Sequence, residues 1–410
     1  MDLGANLRVF VETQTWMNLF SAVDVEMLIF AAQSHEIMNI IIASDSFKGC
    51  LSSVEAGRAM AEGVALSGSD ADVEVLPVSD GGEGMLDAFA ACAGADFYEL
   101  QAHDPLMQRL TSRYAFSSET ATAFVELAET AGLTLLQPTE RHPMVTTTFG
   151  VGETLLAALR AGATRVILGL GGSATNDGGM GLATALGYRF LDGKGCELAP
   201  CGKSLGQVMH IDDSRVSSAW HEVDWVAACD VQAPLCGPQG AVRVFASQKG
   251  ATSSELEELE AGMQHYGEVL SDYCGQDVRQ APGAGAAGGV GAALKGLLHA
   301  QMQSGISLLL RTPRYVSAFN RADLILTGEG KMDGQTSMGK AAWGVLQEGI
   351  HRQVPVWAIA GCVEGRQELL QLGFARLAAA TPDGMPLSKA LQPAIARQNI
   401  CQATCALFEN

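Results

Sequence analysis

The chain carries five short clusters of polar residues and glycines, most of them at the end of an apolar run. The first, Asp45-Ser46-Phe47-Lys48-Gly49, follows the apolar residues 39–44 directly. An acid, a hydroxyl and a lysine in one tight loop can hold a phosphate group or a metal ion. The alternative is a helix-entry turn with a solvated lysine. The residues alone support both interpretations equally.

The second cluster, residues 79–84, reads Ser-Asp-Gly-Gly-Glu-Gly and follows the next apolar run. The paired glycines Gly81 and Gly82 let backbone N–H groups approach an anion, and a following helix adds its positive N-terminus. Asp80 and Glu83 can ligate Mg²⁺ or accept a proton. The structural alternative is a capping box, with Asp80 as the N-cap and Glu83 three positions later. The two interpretations are compatible.

The third cluster is the densest and spans residues 169–179, GLGGSATNDGG. Its glycines alternate with Ser173, Thr175, Asn176 and Asp177, the composition of an anion-binding loop with a carboxylate at its far side. A purely structural turn rarely needs so many polar groups among glycines. We therefore favour a functional role for this loop.

Two further clusters place acids after apolar runs. Cys229-Asp230-Val231 is explained nearly as well by a simple turn. In residues 327–336, Glu329 and Asp333 are candidate metal ligands or bases, and Lys331 is a candidate charge clamp. The overlapping GQTSMGK of residues 334–340 is followed by Ala instead of the Ser or Thr of a P-loop, and it begins well past its strand. We reject a P-loop.

Short apolar, β-rich runs alternate with helix-length segments, which predicts an α/β fold with a mostly parallel sheet covered by helices. A helix is predicted from about Ser53 to Leu66, with Ser52 or Ser53 as its cap. Two strand–loop–helix units open the chain and three close it, which predicts a doubly wound domain split by a long insertion. Ligands bind at the carboxyl edge of such sheets, where we expect the clusters to lie. The predicted strands are 39–44, 73–78, 124–127, 165–170, 225–229, 323–327, 354–359 and 376–379.

Composition and charge narrow the class of protein. The formal net charge of −19 disfavours nucleic acid and anionic membranes as partners. The 10 cysteines lack zinc or thioredoxin spacing, which predicts reduced thiols in a cytoplasmic protein, and no apolar run reaches transmembrane length. Residues 1–37 carry one basic residue against 5 acids, unlike a signal or transit peptide. We expect an extension ahead of the main domain.

Seven segments of the chain, in this order, resemble the bacterial glycerate kinase family. Together they span essentially the whole of residues 38–410, and residues 1–37 have no counterpart in the resemblance. Any one segment is weak evidence, but the ordered set is strong. The segments are DSFKGCLSS (45–53), PVSDGGEG (77–84), TTTFGVG (146–152), LGLGGSATNDGGMG (168–181), CDVQAPLCG (229–237), PGAGAAGG (282–289) and LTGEGKMDGQTSMGK (326–340).

The resemblance implies an enzyme that phosphorylates D-glycerate with ATP and Mg²⁺, generally giving 2-phosphoglycerate. It also implies two domains, a flavodoxin-like doubly wound parallel sheet interrupted by a second α/β domain, with the active site in the cleft between them. We assign residues 38–95 and 287–410 to the flavodoxin-like domain and residues 96–286 to the inserted domain.

The roles of individual residues are hypotheses. Asp177 is our first candidate for the general base and Asp45 the second, because both lie in loops dense with donors. Lys48 is expected to contact phosphate or carboxylate oxygens, and Asp80, Glu329 and Asp333 to ligate Mg²⁺. The predicted substrate and nucleotide contacts are Ser46, Gly81, Gly82, Gly171, Gly172, Ser173, Asn176, Gly178, Gly179 and Lys331.

Two alternatives stay open. The chain could be a kinase for another small hydroxy acid or sugar acid, or a non-catalytic regulator that senses an organic acid. The many acids in the glycine loops argue against a sensor, because extra carboxylates facing an anion weaken its binding. The position of phosphorylation, C2 or C3, is also open.

Overall fold

The computed structural model describes residues 37–47, 49–79, 81–82, 84–334, 336 and 341–409. All eight predicted strands are present, with ends that differ by a few residues. The strands are β1 (Met38–Ser44), β2 (Ala71–Val75), β3 (Asp96–His103), β4 (Arg109–Ser117), β5 (Thr122–Glu126), β6 (Arg165–Gly169), β7 (Arg189–Leu191), β8 (His210–Asp212), β9 (Asp224–Ala228), β10 (Gln301–Gln303), β11 (Leu324–Met332), β12 (Val356–Val363) and β13 (Arg376–Ala379).

The α-helices lie between these strands and after the last of them. The predicted first helix is confirmed, with Ser52 as N-cap and a capping box to Glu55. The helices are α1 (Ser53–Leu66), α2 (Met85–Ala93), α3 (Ala128–Ala131), α4 (Phe149–Arg160), α5 (Met180–Ala185), α6 (Ala241–Phe245), α7 (Ser253–Cys274), α8 (Ala286–Leu298), α9 (Gly305–Leu310), α10 (Pro313–Asn320), α11 (Ala341–Arg352), α12 (Arg366–Leu372), α13 (Leu387–Ala390) and α14 (Pro393–Glu409).

The first sheet has five parallel strands in the order β2-β1-β11-β12-β13. In chain order this is 2-1-3-4-5, the flavodoxin-like arrangement, so the predicted fold class is confirmed. The central strand β1 reads MNIIIAS, and its residues Ile40, Ile41 and Ile42 are buried because helices cover both faces of the sheet.

The second sheet has six strands in the order β10-β9-β6-β5-β4-β3. Its four strands from β10 to β5 are parallel, whereas β3 and β4 form an antiparallel hairpin at one edge. Sequence analysis did not find this hairpin, because the edge strand β3 is mostly exposed and has no continuous apolar run.

The inserted domain extends further along the chain than we predicted. Strand β10 pairs with β9 of the second sheet, and helix α8 packs against α5, α6 and α7 of that domain. The sheets therefore divide after Gln303 instead of after residue 286. The glycine-rich segment 282–289 leads into helix α8, ahead of strand β10 of the second sheet.

The two sheets share a layer of helices. One apolar cluster covers the outer face of the first sheet with α1 and α14, and another covers the outer face of the second sheet with α4, α5, α7 and α8. The third cluster joins both sheets through α2, α9, α10 and α11. Because the two sheets pack on common helices, the loop after β2 lies against the loops that follow β6 and β9.

Candidate active site at the carboxyl edge of the first sheet

A cavity of about 760 Å³ opens at the carboxyl edge of the first sheet. Its walls come from the loop after β1, from β11, from the ends of β12 and β13, and from residues 379–400. Four predicted site residues line it, namely Asp45, Ser46, Glu329 and Lys331. This is the edge at which open α/β sheets bind ligands, and the volume is typical of small-molecule sites.

Asp45 and Ser46 lie in the wall of this cavity. The Asp45 N–H donates to the Gly328 carbonyl at 2.9 Å, and Asp45 Oδ1 accepts from the Ser46 N–H at 2.7 Å. The first bond holds the backbone of Asp45 against β11, and the second restrains its carboxylate. Ser46 Oγ is buried and has no hydrogen-bond partner among the described residues. Since buried hydroxyls are normally paired, an unpaired hydroxyl in a cavity wall is a candidate ligand contact.

Thr336 forms hydrogen bonds with both Glu329 and Asp333 of the fifth cluster. Its hydroxyl donates to Glu329 Oε1 at 3.3 Å and accepts from the Asp333 N–H at 3.1 Å. The Lys331 ammonium lies 2.9 Å from Glu364 Oε2 and 3.4 Å from Asp333 Oδ2. The hydrogen bond to Glu364 raises the pKa of Lys331, so the side chain is positively charged at neutral pH.

The acids at this edge fit a magnesium ion that is bound mainly by phosphate and water. Within the described ranges there is no cluster of three or more His, Cys, Asp or Glu that could hold a metal alone. Magnesium usually binds through one or two carboxylates plus substrate phosphates, and Glu329 and Asp333 can supply these carboxylates. Asp80, Glu83 and Lys48 lie outside the described residues. The N-cap of helix α2 is Gly84, and the predicted capping box of Asp80 and Glu83 falls on these undescribed residues.

The glycines of the second and third clusters bring the two domains into contact. The Gly171 N–H donates to the Gly81 carbonyl at 3.1 Å, and a Cβ on Gly171 would lie 2.2 Å from Gly82 Cα. The Gly81 N–H in turn donates to Ser79 Oγ at 3.3 Å. These positions require glycine because two backbones touch there. The predicted contacts of Gly81 and Gly171 with an anion would need these same N–H groups, which already donate hydrogen bonds within the protein.

Asp177 is fully buried and does not line the cavity. Its carboxylate accepts four hydrogen bonds, from the Thr148 N–H and hydroxyl at 2.8 and 2.7 Å, and from the N–H groups of Gly179 and Gly181 at 3.0 and 3.1 Å. Burial raises its pKa despite these bonds. The Gly178 N–H donates to the Gly288 carbonyl. This geometry therefore disfavours Asp177 as the general base. It also disfavours direct contacts of Gly178 and Gly179 with an anion.

Comparison with known proteins gives the family. The model of the glycerate kinase family matches residues 40–409. This chain belongs to the glycerate kinase family. The glycerate kinase of Bacillus subtilis (strain 168) is 40% identical over 358 residues, which cover 87% of this chain and 94% of that protein. The glycerate 2-kinase of Escherichia coli (strain K12) is 40% identical over 324 residues, which cover 79% of this chain and 85% of that protein.

A solved structure agrees with the fold. A crystal structure of a protein provisionally assigned as glycerate kinase 2 of Salmonella typhimurium LT2 matches with a TM-score of 0.77 at 35% identity. The match covers 91% of this chain and 98% of that one. The resemblance seen in the seven motifs is thus confirmed, and the chain is an enzyme, a kinase.

Lys249 was not predicted from the sequence, and it forms hydrogen bonds with the third cluster. The side chain is only 2% exposed, and its ammonium donates to Ser173 Oγ at 2.8 Å and to the Thr175 carbonyl at 2.7 Å. Burial lowers the pKa of Lys249 to about 7, while the nearby charge of Asp177 opposes this shift. Asn176 is also buried, and its amide donates to the Ala241 carbonyl. Nothing in the sequence ASQKGA around Lys249 indicates this contact.

A second missed residue, Glu126, ties the second sheet to the loop after β2. It ends β5, is 5% exposed, and its Oε2 accepts from the Leu86 N–H at the start of α2 at 3.2 Å. Burial raises the pKa of Glu126 to about 7. In the sequence it reads only as an acid ahead of a short helix.

We expect Glu126→Gln to change the pH dependence of stability. The folded protein holds a proton on Glu126 more tightly than the unfolded chain does. Glu126 therefore makes its full contribution to stability below the pKa that it has in the unfolded chain. This contribution is lost as the pH rises through about 7. The neutral variant lacks this loss, so its Tm relative to wild type should rise between about pH 5 and about pH 8. The exposed Glu99→Gln is the control, and parallel curves for Glu126→Gln and wild type would contradict the prediction.

Proposed function

We propose that this enzyme transfers the γ-phosphoryl group of ATP to the C2 hydroxyl of D-glycerate, giving 2-phosphoglycerate. The observation that carries the proposal is the cavity of the first sheet, where Asp45, Ser46, Glu329 and Lys331 meet in a chain of the glycerate kinase family. Phosphoryl transfer depends on positioning and on neutralising charge, and this set of residues supplies both kinds of group.

The charges around the cavity suit a triphosphate. Lys331 brings a positive charge and Ser46 a buried hydroxyl, and we propose that Lys48 adds a second ammonium. Glu329 and Asp333 would hold Mg²⁺, which neutralises the phosphate oxygens when bound. Without such local groups a chain of net charge −19 would repel both ATP and glycerate.

Asp45 is the residue that we propose as the general base. Asp45 is 4% exposed and lines the cavity, and the bond from the Ser46 N–H orients its carboxylate. A base must reach the substrate hydroxyl directly or through one water molecule, which favours Asp45 over the fully enclosed Asp177. We propose that Asp177 positions the turn at residues 177–181 instead, through the four bonds that it accepts.

The net charge and the helices of the chain bear on the location and the partners of the enzyme. In the described part of the chain no helix is long and apolar enough to cross a membrane. We propose a cytoplasmic enzyme whose partners are D-glycerate and ATP, with no nucleic acid or membrane partner, because its net charge of −19 repels both polyanions.

A coupled assay tests this function and the position of phosphorylation together. The purified enzyme is mixed with ATP, Mg²⁺, D-glycerate and enolase, with no phosphoglycerate mutase. We expect phosphoenolpyruvate to form in proportion to ADP, because enolase brings it to equilibrium with 2-phosphoglycerate. ADP without phosphoenolpyruvate would show phosphorylation at C3, and ADP formed faster with another hydroxy acid or a sugar acid would change the substrate. Glycerate or ATP binding without ADP release would support the sensor.

A further inference from the structure

The cavity of the first sheet has an apolar half that the phosphate-binding residues do not use. Its lining includes Met385, Leu387, Leu391 and Ile400. Leu387 is 71% exposed, more than any other large apolar side chain in the described ranges, and Leu391 is 40% exposed. Apolar side chains that stay exposed along a cavity mark a surface that a ligand covers.

A polar group stands beside these leucines. Asn399 lines the same half of the cavity, is 8% exposed, and its Nδ2 contacts only the weak acceptor Met385 Sδ, at 3.5 Å, among the printed bonds of the described residues. An amide can both donate and accept, so it matches the edge of a heteroaromatic ring. Asp383 lines the cavity as well and offers an acceptor for hydroxyl groups.

The order of the strands gives the cavity a direction. The apolar half adjoins the end of β13 at one edge of the sheet, whereas Asp45 follows β1, next to β2 and the second domain. Glu329 and Lys331 of β11 lie between these two ends. The apolar half, the charged residues Glu329 and Lys331, and Asp45 therefore follow one another along the edge of the sheet.

We propose that residues 379–400 form the nucleoside subsite of ATP, with the adenine ring against Leu387 and Leu391 and the Asn399 amide at the edge of the ring. The ribose hydroxyls then face Asp383, and the triphosphate extends towards Lys331 and Ser46. The acceptor lies at the Asp45 end, on the side of the second domain. Only the placement of the triphosphate in this assignment rests on the proposed function.

The test compares two double variants of equally exposed leucines. Leu387→Ser with Leu391→Ser alters the apolar wall, and Leu66→Ser with Leu370→Ser is the control, because Leu66 and Leu370 are 70% and 40% exposed and do not line the cavity. Binding of ATP, adenosine and inorganic tripolyphosphate to each protein is measured by calorimetry. All four leucines are exposed at the surface, so both variants should fold.

We expect the wall variant to weaken binding of ATP and adenosine by about tenfold or more and to leave tripolyphosphate binding within about twofold. The control should bind all three ligands as the wild type does. Unchanged adenosine binding in the wall variant, an equal loss for tripolyphosphate, or a wild type that does not bind adenosine would each overturn the subsite. Turnover of glycerate by the wild type tests the proposed function separately, since adenosine binding is measured without any phosphoryl transfer.

Discussion

Replacing Asp45 with Asn is expected to lower kcat by about 10²- to 10⁴-fold, the usual range for loss of a general base. The amide keeps the shape of the side chain, and its oxygen can still accept from the Ser46 N–H, but it cannot take a proton from the substrate hydroxyl. The dissociation constant for ATP and the Tm should change little. Steady-state kinetics with D-glycerate, together with calorimetry for ATP, measures both quantities.

The control for this variant is Asp70→Asn. Asp70 is exposed and lies between α1 and β2, at the amino edge of the first sheet and away from the cavity. The Asp70→Asn variant loses the same charge from the same residue type. Because Asp70 lies away from the cavity, the kcat of this variant should stay at the wild-type value. A kcat for Asp45→Asn close to that of the control would remove Asp45 as the base.

Asp177→Asn is expected to destabilise the protein, lowering the free energy of unfolding by about 1–3 kcal/mol. An Asn side chain has one acceptor oxygen, whereas both oxygens of Asp177 accept hydrogen bonds from the protein. The amide nitrogen must then face a backbone N–H or the Thr148 group, and one buried donor is left unpaired. Urea unfolding gives the change in free energy.

The same variant separates a positioning role from a catalytic one. If Asp177 positions the turn at residues 177–181, the loss of stability should accompany any fall in kcat. If Asp177 is the base, kcat should fall by about a hundredfold or more while the free energy of unfolding stays close to that of wild type. The second result would support our first expectation from the sequence and would contradict the geometry seen here.

The architecture was predictable because buried parallel strands leave a clear pattern. Residues 39–44 and 323–327 form continuous apolar runs, since strands covered on both faces have no polar side to show. The edge hairpin β3–β4 and the short strand β10 lack such runs, so no pattern in the sequence indicated that the second sheet continues to Gln303.

The site was predictable where side chains of matching chemistry follow neighbouring strands. Asp45 follows β1 and Glu329 lies in the adjacent β11, and register brings Ser44 opposite Gly328. The glycine loops were harder to interpret, because composition does not show which N–H groups the protein uses itself. Gly178 and Gly179 look like an anion cradle in the sequence, yet both N–H groups donate within the fold. Lys249 reaches Ser173 across 76 residues, a contact that no local pattern reveals.

A crystal structure with a non-hydrolysable ATP analogue, Mg²⁺ and D-glycerate would show where both substrates bind. We expect the triphosphate in the cavity of the first sheet, within hydrogen-bond distance of Ser46 Oγ and the Lys331 ammonium, and a glycerate hydroxyl against the Asp45 carboxylate. A triphosphate bound on residues 171–179, with the cavity at Asp45 and Glu329 free of nucleotide, would contradict it.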